Sequence, residues 1–279
     1  MDYRTVPEWA REVSHPEKAS AARVYDYLLG GTHHLEADRL VGAAIQQAKP
    51  AVPLQMMTNR AFLGRAVRFM VDAGIKQFLD IGSGIPTVGN VHETAQMRSS
   101  GCRVVYVDCD PVAVMQSLQL LAGAPFATAL EGDLTRPEEI LAELATAEIR
   151  RLIDPQEPVG LLLMAVTHFV SDEENLHDHV ATLREWLPPG SFMALSQGAV
   201  ESYTPEEIAQ IRAAYAGQRA AIPTARTWEQ TRRFFDGLVL QDPGLVYLPQ
   251  WRPEPNDPSF FNDDPRRSGS HAGVGLRAR

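Results

Sequence analysis

The sequence predicts an α/β fold with a mostly parallel sheet. From residue 76 onward, strand-like apolar runs alternate with helix-like segments, which is the pattern of parallel βαβ units. The strand-like runs are apolar almost without interruption, as expected for strands that helices cover on both faces. These runs lie at 76–81, 103–108, 126–131, 159–166 and 191–196.

Helices are predicted between the strands, at about 91–98, 111–122, 137–152 and 172–187. Several helix starts carry Asn, Ser or Thr followed three positions later by Glu or Gln. This spacing is typical of a capping box, in which two side chains satisfy backbone N–H groups of the first helical turn. It occurs at Asn90 and Glu93, Ser171 and Glu174, Thr204 and Glu207, and Thr227 and Gln230.

Two helical additions to this core are expected, because 279 residues are many for one ordinary domain. Residues 1–57 are predicted to form an N-terminal helical cap or lid. The cap includes the segment A-A-R-V-Y-D-Y-L-L-G-G, whose two glycines suit either a hinge or a helix C-cap. Residues 58–279 are predicted to form the main domain, with a helical insert at about 201–240. Two final strand-like runs bring the predicted sheet to seven strands; they lie at 244–251 and 271–278.

Composition limits the classes of partner. The net charge of −9 argues against a broad phosphate-binding surface, so nucleic acid is not an expected partner. No run approaches about 18 uncharged apolar residues, so no membrane span is predicted. The first residues lack the basic and apolar regions of a signal peptide. Cys102 and Cys109 do not make a disulfide framework, so we expect a reduced, cytoplasmic protein.

The stretch F-L-D-I-G-S-G, which ends the first strand, is the main candidate for a ligand site. Gly82 and Gly84 allow left-handed backbone and close approach of a ligand. They lie at the carboxyl end of a strand, where open α/β sheets bind their ligands. A dinucleotide-binding turn needs a third glycine where this chain has Thr87, which argues against a nicotinamide-dependent oxidoreductase. A tight strand-to-helix turn without a ligand is the other interpretation.

Two acidic residues follow the next strands in positions that suit a nucleoside. Asp108 ends the second strand and can accept hydrogen bonds from two ribose hydroxyls. Asp133 follows the third strand and can accept from an adenine amine, while Leu134 can cover the ring. Asp133 can instead cap its loop, a role for which Thr135 competes. Asp110 precedes a proline and is predicted to be a helix N-cap.

The motifs D-I-G-S-G, V-D-C-D-P and E-G-D-L, in this order and spacing, resemble the cofactor motifs of class I S-adenosylmethionine-dependent methyltransferases. With A-R-V-Y-D-Y-L-L-G-G, N-R-A-F-L-G-R-A-V-R-F and V-T-H-F-V, nearly the whole chain resembles a bacterial S-adenosyl methyltransferase family first described without a known function. The resemblance implies a Rossmann-like class I methyltransferase fold whose last strand is antiparallel, and S-adenosylmethionine as the cofactor.

The resemblance also implies roles for individual residues. The glycine turn would pass under the methionine part of the cofactor and Asp80 would order that turn. Asp108 would hold the ribose, and Asp133 with Leu134 would hold the adenine. The full set of implied cofactor-binding residues is Tyr27, Asp80, Gly82, Ser83, Gly84, Asp108, Cys109, Asp133 and Leu134.

His168 is the candidate catalytic residue. In the class I fold, the carboxyl end of the fourth strand faces the methyl group, and this strand runs into T-H-F-V. His168 could act as a base or orient the acceptor; a packed loop histidine is the other interpretation. Tyr25 and Tyr27 lie about 200° apart on a helix, so they cannot share a face. Tyr27 is nearer to the closing glycines and is predicted to cover the cofactor as part of a lid.

The predicted function is methyl transfer from S-adenosylmethionine to an oxygen or nitrogen of a small molecule. The alternative is a protein that binds S-adenosylmethionine or S-adenosylhomocysteine without catalysis, as a sensor or scaffold. Histidine pairs at 33–34 and 177–179 lack a completing set of ligands, so no metal site is predicted.

Overall fold

A computed structural model of the chain describes residues 17–86, 89–218, 220–258 and 260–278. Its centre is one sheet with strand order β3-β2-β1-β4-β5-β8-β6, and β7 also pairs with β8. Strands β1 to β5 are parallel, and β8 runs antiparallel to β5. The strands are β1 (Gln77–Ile81), β2 (Arg103–Asp108), β3 (Ala127–Glu131), β4 (Gly160–Met164), β5 (Phe192–Gly198), β6 (Val239–Leu240), β7 (Val246–Tyr247) and β8 (Ser270–Leu276).

The predicted fold class is confirmed, including the antiparallel last strand. The sheet has eight strands where seven were predicted, because the short β6 adds to the edge of β8. The predicted strand at 244–251 is reduced to β7, which leads into a 3-10 turn at Leu248–Gln250.

Helices precede, follow and connect the strands. They are α1 (Ala21–Leu28), α2 (Glu36–Ala48), α3 (Val52–Asp72), α4 (Val91–Arg98), α5 (Pro111–Leu120), α6 (Pro137–Leu144), α7 (Leu176–Trp186), α8 (Pro205–Tyr215) and α9 (Trp228–Arg233). The predicted capping-box residues lie at four helix starts. Both reciprocal hydrogen bonds form at Thr204 and Thr227. At Asn90 and Ser171 the Glu side chain accepts from the N-cap N–H, and the N-cap side chain makes no cap hydrogen bond. None of the helices in the described ranges is both long and apolar enough to cross a membrane.

The two faces of the sheet form separate hydrophobic cores, because successive strand residues point to opposite sides. Phe78 and Val104 pack into one core with α3, while their neighbours Leu79 and Val105 enter the other with α6 and α7. Strands covered on both faces explain the nearly continuous apolar runs of the sequence.

The N-terminal helices and the insert pack against each other in a third hydrophobic cluster. Val24 of α1, Val41 and Ile45 of α2 and Tyr215 of α8 belong to it. Helix α3 runs without a break through the predicted boundary between residues 57 and 58. The cap is therefore joined to the main domain by a continuous helix.

Candidate functional site

A cavity of about 400 Å³ lies at the carboxyl ends of β1, β2 and β4. The cap contributes Tyr25 to its wall, and the insert contributes Ala220 and Ala221. Eight of the nine residues implied to bind the cofactor line this cavity. They are Asp80, Gly82, Ser83, Gly84, Asp108, Cys109, Asp133 and Leu134.

Gly82 begins the glycine turn in a position that no side chain fits. Its φ is +70°, and a Cβ there would lie 2.1 Å from Cγ2 of Val166. The backbone N–H groups of Gly82 and Ser83 both donate to the Val107 carbonyl, at 2.8 and 3.1 Å. The turn is therefore held tightly against β2 and against the loop after β4.

Gly84 differs from Gly82 because a side chain there would meet no clash. Its φ is +61°, and the nearest atom to a Cβ built there is the Ala22 Cβ at 3.8 Å. Its N–H donates to Oδ2 of Asp108 at 2.7 Å. Bare backbone is thus exposed to the cavity at this point, where a ligand can approach closely.

The Asp108 carboxylate is fixed at the end of β2 by backbone N–H groups, those of Gly84 and Asp110 among them. Oδ2 accepts from Gly84, and Oδ1 accepts from the N–H of Asp110 at 2.9 Å. Burial raises the pKa of Asp108 to about 6. Each carboxylate oxygen has a second lone pair, so the group can still accept hydrogen bonds from a ligand. Asp110 caps α5 as predicted, accepting from the N–H of Val112.

Asp80 is a buried acid at the same edge of the sheet. Burial raises its pKa to about 7; the charge of Arg60 opposes the rise and the charge of Asp108 adds to it. Arg60, on α3, also lines the cavity. The site therefore stabilises a cation placed beside Asp80, because a positive charge there favours the ionised carboxylate.

Asp133 and Leu134 lie after β3, at the far end of the cavity. Oδ1 of Asp133 accepts from the N–H and from the hydroxyl of Thr135, both at 2.8 Å. Asp133 therefore caps its own loop and also lines the cavity. Leu134 is 4% exposed and packs into the core beneath the sheet edge.

Tyr25, not Tyr27, reaches the cavity. The Tyr27 ring packs against Gly42, where a Cβ would lie 2.3 Å from Cδ1 of the ring. It also contacts the His34 ring edge-on, with 5.2 Å between ring centroids. The hydroxyl of Tyr25 accepts a hydrogen bond from Nδ2 of Asn59 at 3.0 Å. The two tyrosines face opposite sides of the helix, as the helical spacing predicted. The prediction that Tyr27 covers the cavity is wrong, because Tyr25 is the one that lines it.

The two glycines after α1 close it as a Schellman motif. Gly30 has a φ of +78° and donates its N–H to the Tyr27 carbonyl at 2.9 Å, while Gly31 donates to the Asp26 carbonyl at 2.8 Å. These two bonds satisfy carbonyls that a helix end otherwise leaves unpaired. The C-cap interpretation of this segment is confirmed.

A family model described as S-adenosyl methyltransferase matches residues 7–278. The chain belongs to this S-adenosyl methyltransferase family. The enzyme is accordingly an S-adenosylmethionine-dependent methyltransferase.

Solved structures agree with this assignment. A DUF574-family protein from Streptomyces avermitilis MA-4680 is 37% identical, has a TM-score of 0.85, and aligns over 94% of this chain and 98% of its own. A candidate methyltransferase from Thermobifida fusca YX is 36% identical, with a TM-score of 0.83 and coverage of 94% and 96%. The plantazolicin methyltransferase BamL, solved with S-adenosylhomocysteine, shares the fold at 13% identity, a TM-score of 0.50, and coverage of 96% and 98%. No curated protein matches the chain.

The residues in the cavity suit the chemistry of S-adenosylmethionine. Its ammonium suits the buried Asp80 carboxylate, and its ribose hydroxyls suit the remaining lone pairs of Asp108. The backbone left bare at Gly84 provides room for close contact. The described residues contain no group of three or more His, Cys, Asp or Glu side chains that could hold a metal ion. Thr87, whose identity argued against a dinucleotide, lies outside the described residues.

His168 lies next to the methyltransferase cavity but not in its lining, whereas its neighbours Val166 and Phe169 line it. Its carbonyl accepts from the N–H of Thr224 at 2.6 Å, and its ring contacts that of Phe169. Burial, with the charge of Arg226 second, lowers its pKa to about 4. Its Nδ1 is buried without a partner among the described residues. The geometry is that of a packed loop histidine, and its role as a base stays a prediction.

The sequence analysis missed a hydrogen-bonded chain that connects the cap to the strands. Ser196 Oγ accepts from the N–H of Ala165 at 3.0 Å and donates to Oδ1 of Asn59 at 2.7 Å; Asn59 then donates to Tyr25. Ala165 lines the cavity with a φ of +54°, which costs a residue with a Cβ some strain. The sequence did place Ala165 at the end of the predicted fourth strand, at the ligand-binding edge of the sheet. No sequence pattern indicated that Asn59 would bond to Ser196 and Tyr25.

Arg226, in the insert, was also missed. Its guanidinium is fully buried and donates to the carbonyls of Thr167 and Val170 at 2.9 and 2.8 Å. It also pairs with Asp172 at 2.7 Å. Arg226 therefore fixes the loop after β4 that carries Val166 and Phe169 to the cavity.

Proposed function

We propose that this enzyme transfers the methyl group of S-adenosylmethionine to an oxygen or nitrogen of a small molecule. The observation that carries the proposal is the composition of the cavity wall. Cofactor-side residues at the strand ends share one cavity with Tyr25 of the cap and with Ala220 and Ala221 of the insert. A volume of about 400 Å³ lies within the range of small-molecule pockets.

The chain's contribution to the reaction is orientation and electrostatics. When bound, S-adenosylmethionine supplies an electrophilic methyl group on a sulfonium. Asp108 would fix the ribose and Asp80 the ammonium, so that the cofactor cannot shift along the sheet edge. The loop after β4, rigidified by Arg226, would wall the side from which an acceptor approaches. Holding two reactants in line removes much of the entropic barrier of a bimolecular step.

Proton removal is the step for which His168 was predicted. With its pKa lowered to about 4, the imidazole is neutral at pH 7 and able to accept a proton, although it is a weak base. An acceptor that ionises readily, or an amine that is neutral when bound, needs no strong base. The wall contains several acids and one described cation, Arg60, which supports a neutral or cationic acceptor over an anionic one.

The remaining predictions about partners fit the same proposal. The net charge of −9 supports a small acceptor over a nucleic acid, and no membrane partner is proposed. A bacterial source and a cytoplasmic location stay predictions.

The test combines binding with turnover. Calorimetric titration with S-adenosylmethionine, S-adenosylhomocysteine and NAD should show micromolar binding of the first two, lost in Asp108→Ala. Purified enzyme is then incubated with methyl-labelled cofactor and a panel of small alcohols, phenols and amines. Labelled product above the Asp108→Ala background supports the proposal. Tight binding with no product from any acceptor class favours the non-catalytic alternative. If His168→Ala keeps full turnover, His168 is not the base.

A further inference from the structure

Arg60 is a charged residue of the cavity wall for which the sequence analysis predicted no role. It lies on α3 and lines the cavity together with Asp80, Gly82 and Gly84. Its Nη2 lies 3.5 Å from the carbonyl oxygen of Gly89, at the end of the glycine turn. Arg60 therefore lies in the cavity wall with its guanidinium close to the backbone that precedes α4.

The charge of Arg60 reaches groups on three different elements. It opposes the burial that raises the pKa of Asp80 on β1 to about 7. It likewise opposes the burial that raises the pKa of Tyr25 on α1 and of Tyr106 on β2. Arg60 shares the cavity wall with Asp80, which lies in β1. Among the described residues that line the cavity, Arg60 is the one Lys or Arg, and several of the others are carboxylates.

We propose that Arg60 and Asp80 together recognise the zwitterionic amino-acid end of the cofactor, with Arg60 binding the carboxylate and Asp80 the ammonium. The proposal rests on the cofactor assignment, and it adds Arg60 and the cofactor carboxylate to the role already proposed for Asp80. A guanidinium binds a carboxylate through two parallel hydrogen bonds, a geometry that an ammonium or a backbone N–H does not offer. A cation beside Asp80 relieves the unfavourable burial of its negative charge.

The consequence is a specific preference among adenosyl ligands. Decarboxylated S-adenosylmethionine keeps the amine but lacks the carboxylate, and 5′-methylthioadenosine lacks both. Hydrogen bonds to charged groups contribute enough that losing the carboxylate should weaken binding about 10- to 100-fold. Loss of both groups should weaken it further, while the ribose and adenine contacts at Asp108 and Leu134 stay the same.

The experiment measures dissociation constants of these three ligands by calorimetry for the full-length wild type and for Arg60→Met, Asp80→Asn and Arg68→Met. Arg68 is the matched control, since it lies two turns further along α3 and pairs with Glu254 outside the cavity wall. Thermal unfolding of each variant without ligand shows whether it is folded.

Arg60→Met should lose affinity for S-adenosylmethionine about 10- to 100-fold, and bind the decarboxylated analogue as the wild type does. Asp80→Asn should weaken both amine-bearing ligands and leave 5′-methylthioadenosine unchanged. Arg68→Met should behave as wild type. An unchanged preference for the carboxylate in folded Arg60→Met, or an equal loss for all three ligands, overturns the proposal. If the wild type binds none of the ligands, the cofactor assignment itself fails, which is a different result.

Discussion

Alanine at Gly82 should destabilise the enzyme more than alanine at Gly84, although both residues have positive φ. A left-handed backbone costs an alanine about 1–2 kcal/mol at either position. At Gly82 the new Cβ would also lie 2.1 Å from Cγ2 of Val166, whereas at Gly84 the nearest atom is 3.8 Å away. Overpacking of this kind costs about 1–3 kcal/mol more. We expect losses of about 2–5 kcal/mol for Gly82→Ala and about 1–2 kcal/mol for Gly84→Ala.

Urea unfolding of the ligand-free enzyme measures both free energies. Val166→Ala removes the two methyl groups, at 2.1 and 3.2 Å from the new Cβ, but keeps the Val166 Cβ at 2.4 Å. The clash is partly relieved, so the double variant with Gly82→Ala should be more stable than the sum of the single changes predicts. A coupling of about 0.5–3 kcal/mol is expected for residues in contact. Equal losses for the two glycine variants, or strict additivity with Val166→Ala, would show that the turn is not packed against the loop after β4.

Three further outcomes follow from buried charges. Because burial raises the pKa of Asp80 from 3.8 to about 7, folding disfavours its ionised form, and stability falls as the pH rises through that window. The melting temperature of Asp80→Asn minus that of wild type should therefore increase as the pH rises from about 4 to about 8, measured by calorimetry without ligand. Arg226→Met should lose about 2–4 kcal/mol, because the Thr167 and Val170 carbonyls lose their donor, and hydrogen exchange of residues 167–172 should accelerate. Arg23→Met should cost about 3–5 kcal/mol in urea unfolding, because it leaves two buried carboxylates without their cation, and Arg23→Lys should recover part of the loss.

Sequence patterns predicted the parts of the site that depend on local chemistry. Asp80 and Asp108 could be placed because parallel strands end at one edge of the sheet, so acids at two strand ends must lie near each other. Gly82 and Gly84 could be placed because only a residue without Cβ adopts those φ values readily. The capping boxes fixed helix starts, such as the one at Asn90. Each of these inferences depends on a residue's type and on its position within one strand, turn or helix.

The parts that sequence reasoning missed depend on distant partners. Tyr25 and Tyr27 were correctly assigned to opposite faces, but the cavity side is decided by Gly42, whose missing side chain makes room for the Tyr27 ring. Asn59 and Ser196 are 137 positions apart, and no periodicity connects them. The strand β6 has two residues, too few to show alternation.

Two buried arginines connect the helical additions to the backbone around the cavity. Arg23, on α1 of the cap, pairs with Asp110 at 2.9 Å, next to the loop that holds Asp108. Arg226, in the insert, holds the loop after β4 from the opposite side. Separating a buried cation from its partners leaves an uncompensated buried charge, which is strongly destabilising. Neither the cap nor the insert can therefore move away from the groups that its arginine binds without a large loss of stability. The cap and the insert should therefore unfold together with the loops around the cavity, and not as separate domains.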